Sequence, residues 1–345
     1  MVLVFSLVAS DFLNLGTLSM ILKQGSVLAI VATGLTFVLL CAEIDLSVGT
    51  VALLSACVCG IMWESGFAAG PKEVNGAETV GAMTTAFVLA FPLIVAVLIG
   101  LISGWLTVSS GLPSFIISLS MMNIARGLAG FLTQSQKFSV PPILGKIGNS
   151  PLTELDAGRL GTLIIPQNAV LAAFVMITAH LVLQHTRFGR YVYMTGGNRE
   201  AARLAGVRTD RIVIACLAIC AMTSACGGLV NSGRMNSVSM EQNGDLLLDA
   251  VACVVLGGTS LFGGEGSIGK TLVGVFSFTV LKVGLNLTNV KQLIDDSPLT
   301  ESIKEYLLEA SWVRQFELLR PFLLGIVLLL ALVIQGRLIR RRNDT

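Results

Sequence analysis

Charged residues are scarce in this sequence. Asp, Glu, Lys and Arg make up 13% of the 345 residues, whereas soluble domains carry about a quarter. The mean hydropathy is +0.81 and 54% of the residues are hydrophobic. This composition argues against a soluble globular domain and against a disordered chain. The net charge of +2 also offers no broad basic face for nucleic acid.

Histidine is nearly absent, and cysteine is not arranged for chemistry. The two histidines, His180 and His185, are five residues apart and do not share a helical face. No carboxylate lies close to them in sequence, which leaves a metal site or a Ser/His/Asp triad with little support. The seven cysteines lie in apolar runs, where a free thiol packs as a small hydrophobe. We expect no catalytic residue, metal or cofactor on this chain.

Long apolar runs dominate the chain, and a run of about 20 such residues can cross a bilayer as a helix. We expect ten crossings: eight come from strong apolar runs, and two come from weaker pieces, the opening ten residues and residues 246–256. The opening has no basic segment or cleavage site, which favours a first helix over a signal peptide. The sequence therefore predicts an all-α, polytopic membrane bundle of about ten transmembrane spans, forming a single domain over residues 1–345. The eight stronger runs are 26–43, 47–63, 81–107, 113–133, 166–184, 212–231, 268–288 and 320–336.

The placement of arginine predicts the orientation, because Lys and Arg in short loops stay on the cytoplasmic side. Residues 185–211 hold six arginines and the tail after residue 336 holds four, so both are expected inside. The loops at 64–80, 134–165 and 289–319 are mixed or acidic and are expected outside. Loop 289–319 is extended, and Ser297 before Pro298 predicts an amphipathic helix on its surface.

One stretch matches a nucleotide-binding pattern. Residues 264–271 satisfy G-x-x-x-x-G-K-[ST], with Lys270 and Thr271 at the end. A phosphate loop joins a strand to a helix within a soluble α/β domain, whereas a membrane span follows Thr271 here and no alternation of strands and helices surrounds it. We interpret the match as a glycine-rich turn between two spans.

The arginine-rich segment predicts a short helix of its own. Asn198 is a suitable N-cap, residues 199–205 are rich in helix formers, and Gly206 is a suitable stop. Considered alone, this segment is equally compatible with a helix that docks into a partner and with a charged loop that only fixes topology.

Three stretches together resemble one family. They are AEIDLSVGT at residues 42–50, Gly196-Gly197-Asn198 followed by Glu200-Ala201-Ala202 and Gly206, and residues 249–268, which include VLGGTSLFGG. In this order they are similar to the membrane-spanning permease subunits of bacterial sugar ABC importers, in the ribose, xylose and arabinose branch. The resemblance covers nearly the whole chain. Lys270, the late start and the long loop 289–319 depart from the family pattern.

The resemblance implies a function and a set of partners. The chain would be a multi-pass permease of the bacterial inner membrane that imports a ribose- or xylose-like monosaccharide, with ATP bound and hydrolysed on a separate ATP-binding cassette subunit. The further partners implied are a periplasmic sugar-binding protein, a second permease copy or homologue, and the lipid bilayer. The family's coupling helix, which contacts the ATPase, would fall on Gly197, Asn198, Glu200, Ala201, Ala202 and Gly206.

Polar residues within spans suggest a translocation pathway, since an ionisable group in a membrane normally faces a cavity or a partner. Arg126, with Asn123 one turn earlier on the same face, is the better candidate, although pairing with backbone carbonyls explains it equally well. Asn286 is a third pathway candidate, and Lys282 lies mid-span. Glu43 and Asp45 are expected in a solvated turn between two helices.

Two other functions compete with this interpretation. An ion-coupled secondary transporter of small polar solutes normally has a carboxylate or an ion site at mid-membrane. Apart from turn residues we find no acidic group deep in a span, which disfavours it. A membrane enzyme acting on lipid-linked substrates is disfavoured by the few histidines and the lack of clustered carboxylates.

Overall fold

The computed structural model describes residues 12–65, 72–74, 77–79, 82–156, 162–288, 322–326, 329, 330 and 333. These residues are predominantly helical. The helices are α1 (Leu15–Leu40), α2 (Val48–Glu64), α3 (Ala82–Ser110), α4 (Ser114–Thr133), α5 (Pro142–Asn149), α6 (Gln167–His185), α7 (Arg187–Gly197), α8 (Arg199–Leu204), α9 (Thr209–Met235), α10 (Leu246–Leu256) and α11 (Ile268–Leu287).

Within the described residues, six helices are long and apolar enough to cross a membrane: α1, α3 from Thr85 onward, α4, α6, α9 and α11. Helices α2 and α10 are apolar but shorter, with 17 and 11 residues. The predicted opening span, most of the predicted span 320–336, and loop 289–319 with its amphipathic helix lie outside the described residues. The membrane bundle is thus confirmed in its main helices.

The predicted bundle is mostly helical as expected, but two small antiparallel hairpins, which the all-α prediction did not include, occur in the loops. Strands β1 (Lys72–Val74) and β2 (Ala77–Thr79) form one, and β3 (Pro151–Asp156) and β4 (Thr162–Pro166) form the other. β4 contains the run Leu-Ile-Ile, which suits a strand and is too short to cross a membrane. The amide of Ile164 donates to Ser19 Oγ at 2.8 Å, which ties this hairpin to α1.

Helix α1 is the central helix of the bundle. It is almost continuously buried from Gly25 to Leu40 and packs against α6, α9, α10 and α11. It begins at Leu15, eleven residues before the predicted start at residue 26. Lys23 and Gln24 interrupt the hydropathy but not the helix, whose N-cap Asn14 accepts a hydrogen bond from the Gly16 amide at 2.9 Å.

Small residues allow the central helices to approach closely, as is usual in membrane bundles. A Cβ at Gly34 of α1 would lie 2.9 Å from the Cα of Cys220 in α9. A Cβ at Gly100 of α3 would lie 2.7 Å from the Cα of Ala218, which is also in α9. Helix α9 is therefore held between α1 and α3 at near backbone contact.

The chain between α9 and α10 turns back into the bundle without forming a helix. We call residues 236–245 the return segment. It starts at Asn236, which has a φ of 52°, and near its start Val238 packs beside Gly60 of α2. Near its end the carbonyl of Asn243 would lie 2.9 Å from a Cβ at Gly49. Because Gly49 and Gly60 are roughly 16 Å apart along α2, the return segment follows α2 deep into the bundle.

Candidate functional site

The predicted short helix is present as α8. The Asn198 side chain accepts a hydrogen bond from the Ala201 amide at 2.9 Å, which caps the helix start. After the helix, Gly206 has a φ of 82°, in the left-handed region that favours glycine. Of the six residues expected in a coupling helix, only Ala202 is buried. The other five, Gly197, Asn198, Glu200, Ala201 and Gly206, are exposed.

Ion pairs tie α8 to the rest of the molecule. Arg199 Nη1 lies 2.9 Å from Glu43 Oε1, just beyond the end of α1. Arg203 Nη2 lies 3.0 Å from Asp210 Oδ1, and this hydrogen bond and charge raise the pKa of the Arg203 guanidinium. Glu43 is therefore not solvated as expected: its side chain is only 9% exposed and is paired with a residue 156 positions away.

Asp45 is also buried, which corrects the expectation of a solvated turn. Its Oδ1 accepts hydrogen bonds from the Ser47 amide at 2.8 Å and from Ser47 Oγ at 2.6 Å. Burial raises the pKa of the Asp45 carboxyl, against the lowering effect of these two hydrogen bonds. The turn between α1 and α2 is thus a packed structural element.

Glycines bring α7 and the loop before α11 against the end of α1. A Cβ at Gly196 would overlap the carbonyl oxygen of Leu40, and it would lie 2.8 Å from the amide nitrogen of Gly264. The Gly264 amide donates to that same Leu40 carbonyl at 3.0 Å. Tyr193 Oη donates to the Gly266 carbonyl at 2.9 Å, and burial raises the pKa of this phenol.

The three stretches behind the family resemblance therefore meet in one place. We call this region the α8 end and define it as residues 41–47, 185–211 and 257–267. It also displays two large apolar side chains, Leu204 and Phe262, which are 90% and 91% exposed. These two residues were not singled out from the sequence, because their exposure depends on how the loops fold.

The phosphate-loop match belongs to this same region and has a different geometry. The segment before it forms helix α10, where a phosphate loop would follow a strand. Thr271, whose hydroxyl would face magnesium in a phosphate loop, is fully buried and shares a hydrogen bond of 2.8 Å with Thr36 of α1. The interpretation as a glycine-rich turn between helices is confirmed.

The predicted pathway residues do not come together. Asn123 is exposed and its amide donates back to the Leu119 carbonyl at 2.9 Å. Asn286 is exposed near the end of α11. Arg126 lines a cavity of about 160 Å³ together with Gln242 and Asn243 of the return segment.

A larger polar cavity, of about 490 Å³, lies between α1, α9, α10, α11 and the return segment. Lys282 of α11 lines it and donates to Asp249 Oδ2 of α10 at 2.6 Å. Asp249 is 9% exposed and lies in the first turn of α10, so an acidic group is buried inside the protein within the predicted weak span 246–256. The sequence did not reveal this buried carboxylate, because its partner Lys282 lies 33 residues later and the run 246–256 is otherwise apolar.

No group of three or more His, Cys, Asp or Glu residues that could hold a metal ion occurs in the described part of the chain. The cysteines in that part are all free, and six of the seven are buried. These thiols therefore pack as apolar side chains, as the sequence predicts.

Comparison with known proteins identifies the family. The pattern of the family described as "Branched-chain amino acid transport system / permease component" matches residues 17–332, which is most of the chain. The chain belongs to this family. It is accordingly a permease component and a multi-pass membrane protein, as its composition and resemblance predicted.

Among its relatives, this permease is similar to the ribose import permease protein RbsC of Escherichia coli strain K12, with 33% identity over 84% of each chain. It is 33% identical to the ribose import permease of Bacillus subtilis, covering 84% of this chain and 83% of that one. The fructose import permease protein FrcC of Rhizobium meliloti is 31% identical, covering 83% of this chain and 77% of that one. No solved structure matches.

Proposed function

We propose that this chain is the permease subunit of an ABC importer of the inner membrane, with ribose and similar monosaccharides as its substrates. The relatives named for ribose and fructose import support the substrate class. ATP is hydrolysed on separate subunits, and this chain performs no covalent chemistry. The full bundle crosses the membrane about ten times, and α2 and α10 add to the six long helices.

The geometry of α8 carries the proposal. A capped helix with Leu204 almost fully exposed at its end suits insertion into a groove of a partner. The ion pair from Arg199 to Glu43 connects this helix directly to the end of α1, the central helix. A force applied to α8 by an ATPase subunit therefore reaches the core of the bundle, which makes Gly197, Asn198, Glu200, Ala201, Ala202 and Gly206 the coupling residues.

The ATPase drives transport by binding one state of the permease more tightly than the other. A partner with equal affinity for the outward-open and inward-open states would shift nothing. The α8 end faces the cytoplasm, in line with its arginines. A periplasmic sugar-binding protein docks at the opposite end, and a second permease copy or homologue covers part of the apolar outer surface, where Phe131 of α4 is 80% exposed.

Co-purification tests this proposal. After mild detergent extraction, an ATPase subunit is expected to accompany the wild-type chain and to be lost from Glu200→Arg, which reverses an exposed charge on α8. Glu154→Arg is the matched control, because Glu154 is also exposed but lies in β3, away from the α8 end. Retention of the ATPase by Glu200→Arg, or its absence from the wild type, would contradict the proposal.

The ion pair between the buried Asp249 and the partly exposed Lys282 favours one alternative, an ion-coupled secondary transporter, because such proteins place ionisable groups at mid-membrane. The two mechanisms differ in their energy source. Sugar uptake that persists after ATP depletion and collapses with a protonophore would establish ion coupling. Uptake that stops on ATP depletion and resists a protonophore at constant ATP supports the ABC importer.

A further inference from the structure

We infer that the 490 Å³ cavity is a binding site for an uncharged, hydroxyl-rich solute, which occupies it during passage through the chain. This inference rests on the proposed function and assigns the residues that contact the transported sugar. The volume lies within the range of about 300–1,000 Å³ that is usual for small-molecule sites. The residues that matter for recognition are on the return segment, α9, α10 and α11.

The backbone around the cavity has the form expected of a transporter site. The return segment is not helical, although it follows α2 for roughly 16 Å into the bundle. Non-helical backbone at membrane depth is tolerated only where protein buries it or where it lines a water-filled cavity. Interrupted helices with exposed backbone and side-chain polar groups supply the substrate sites of many transporters.

Two adjacent amides on the return segment are oriented so that each keeps one group free. Asn231 Nδ2 donates to Asn243 Oδ1 at 2.8 Å, which leaves Asn243 Nδ2 as a buried donor without a partner. Gln242 Nε2 donates to the Ser237 carbonyl at 2.9 Å, which leaves Gln242 Oε1 as a buried acceptor without a partner. A sugar hydroxyl both donates and accepts, so neighbouring hydroxyls satisfy this pair.

Thr279 supplies a third free group. It is fully buried, and its hydroxyl has no hydrogen-bond partner. This is unusual for a threonine in a membrane helix: Thr33 of α1, for comparison, donates to the Ala29 carbonyl at 2.7 Å. Thr279 lies eleven residues into α11, roughly 16 Å from its start. The free hydroxyl is therefore close to the middle of the bilayer, where an unsatisfied polar group is costly.

The charges of the lining indicate a neutral ligand. The three basic residues are balanced by three acidic ones, so the formal charge of the cavity wall is zero: they are Lys137, Arg234 and Lys282, and Glu241, Asp245 and Asp249. A charged solute would find no net counter-charge here. Lys282 uses one of its three N–H donors on Asp249, so its remaining donors are available for sugar hydroxyls.

Removing the Thr279 hydroxyl tests the inference. The complete importer, with its ATPase and binding-protein partners, is reconstituted in proteoliposomes, and uptake of radiolabelled D-ribose, D-xylose and D-fructose is measured per ATP hydrolysed. Thr279→Val should lower this ratio on the order of five-fold, the effect of about one hydrogen bond. Thr279→Ser, which restores a hydroxyl, should recover it. The matched control is Thr33→Val, which should leave the ratio within about two-fold of wild type.

A second variant keeps the test decisive if Thr279→Val fails to fold. Asp249→Asn combined with Lys282→Gln removes both charges but keeps a neutral hydrogen-bonding pair, and it should also lower uptake per ATP. Wild-type ratios in both variants would overturn the inference, since water alone would then fill the cavity, while the proposed function would stand. A wild-type importer that retains its ATPase but takes up none of the three sugars would overturn the proposed function itself. If a protonophore abolished wild-type uptake at constant ATP, the pair of Asp249 and Lys282 would be an ion site, and both the proposed function and the inference would be overturned.

Discussion

Arg199 Nη1 lies 2.9 Å from Glu43 Oε1, and this contact joins the short helix α8 to the end of the central helix α1. The two residues are 156 positions apart in the sequence. Glu43 is buried and Arg199 is about one-third exposed, so the pair is screened less than a surface ion pair. It links the surface proposed to contact the ATPase with the core of the bundle.

We expect Glu43→Gln to loosen α8 from α1. The substitution removes the charge of Glu43, the buried residue of the pair. A double-mutant cycle that combines it with Arg199→Gln should give a coupling energy of about 1 kcal/mol, measured as the free energy of unfolding of the detergent-solubilised chain. ATP-dependent uptake should fall more than ATPase activity. The control cycle uses Arg203 and Glu200, whose side chains are 46% and 79% exposed; its coupling energy should be no more than about 0.5 kcal/mol. Equal coupling energies in the two cycles would contradict this prediction.

The two adjacent glycines at the end of α7 should respond differently to alanine. Gly196→Ala places a methyl group against the Leu40 carbonyl, so the α8 end must shift, whereas a methyl group at Gly197 has no neighbour within 4 Å. Gly196→Ala should lower the thermal unfolding midpoint of the purified chain by several degrees, for a loss of about 1–3 kcal/mol. Gly197→Ala should leave the midpoint unchanged. The prediction fails if both variants have the same midpoint.

Asp45→Asn should stabilise the fold at neutral pH. Burial raises the pKa of Asp45 in the folded state above its unfolded value of 3.8. Ionisation therefore lowers the stability of the fold as the pH rises from the unfolded pKa to the folded pKa, and the loss is complete above the folded pKa. Asparagine removes the charge, and its Oδ1 can still accept both hydrogen bonds from Ser47.

Thermal unfolding of the purified chain across a pH series measures this effect. The midpoint of Asp45→Asn should exceed that of wild type at pH 7.5, and the difference should shrink as the pH falls toward 3.8. Asp245→Asn is a useful control, because Asp245 is exposed. An advantage that grows at acid pH would show that the sign is wrong.

Lys270 should have no part in nucleotide chemistry. It is exposed at the start of α11, where its amide donates to Ser267 Oγ at 3.2 Å, and the neighbouring Thr271 is buried against α1. The isolated chain should show no ATP hydrolysis above background, and Lys270→Ala should label with a photoreactive ATP analogue no differently from wild type. ATP turnover by the isolated chain that is lost in Lys270→Ala would refute this.

Local signals in the sequence were sufficient for α8 and for most of the long helices. Asn198 and Gly206 mark the ends of α8 because capping and left-handed turns depend on neighbouring residues alone. The start of α1 was predicted too late, because hydropathy reports membrane preference and falls at the polar residues Lys23 and Gln24. These two residues do not end the helix, which continues back to Leu15. The hairpins were missed because short strands in loops carry too little pattern.

The buried charges could not be predicted, because each depends on a distant partner. Glu43 and Asp249 are acceptable inside the protein only with Arg199 and Lys282 beside them. One sequence signal lay next to the return segment: the apolar run 246–256 that follows it is too short for an ordinary span. That signal marked a weak span but gave no indication that the chain before it lines a cavity.

The hydrogen bond between Thr36 and Thr271 joins α1 to α11 inside the bundle. Both threonines are fully buried. Separating α1 from α11 would break this bond, and each hydroxyl would keep only a carbonyl one turn earlier in its own chain segment, Ala32 for Thr36 and Ser267 for Thr271. We therefore expect these two helices to move together when the bundle rearranges. Rearrangement is then expected between this pair and the other helices, and not within the packed turn 41–47.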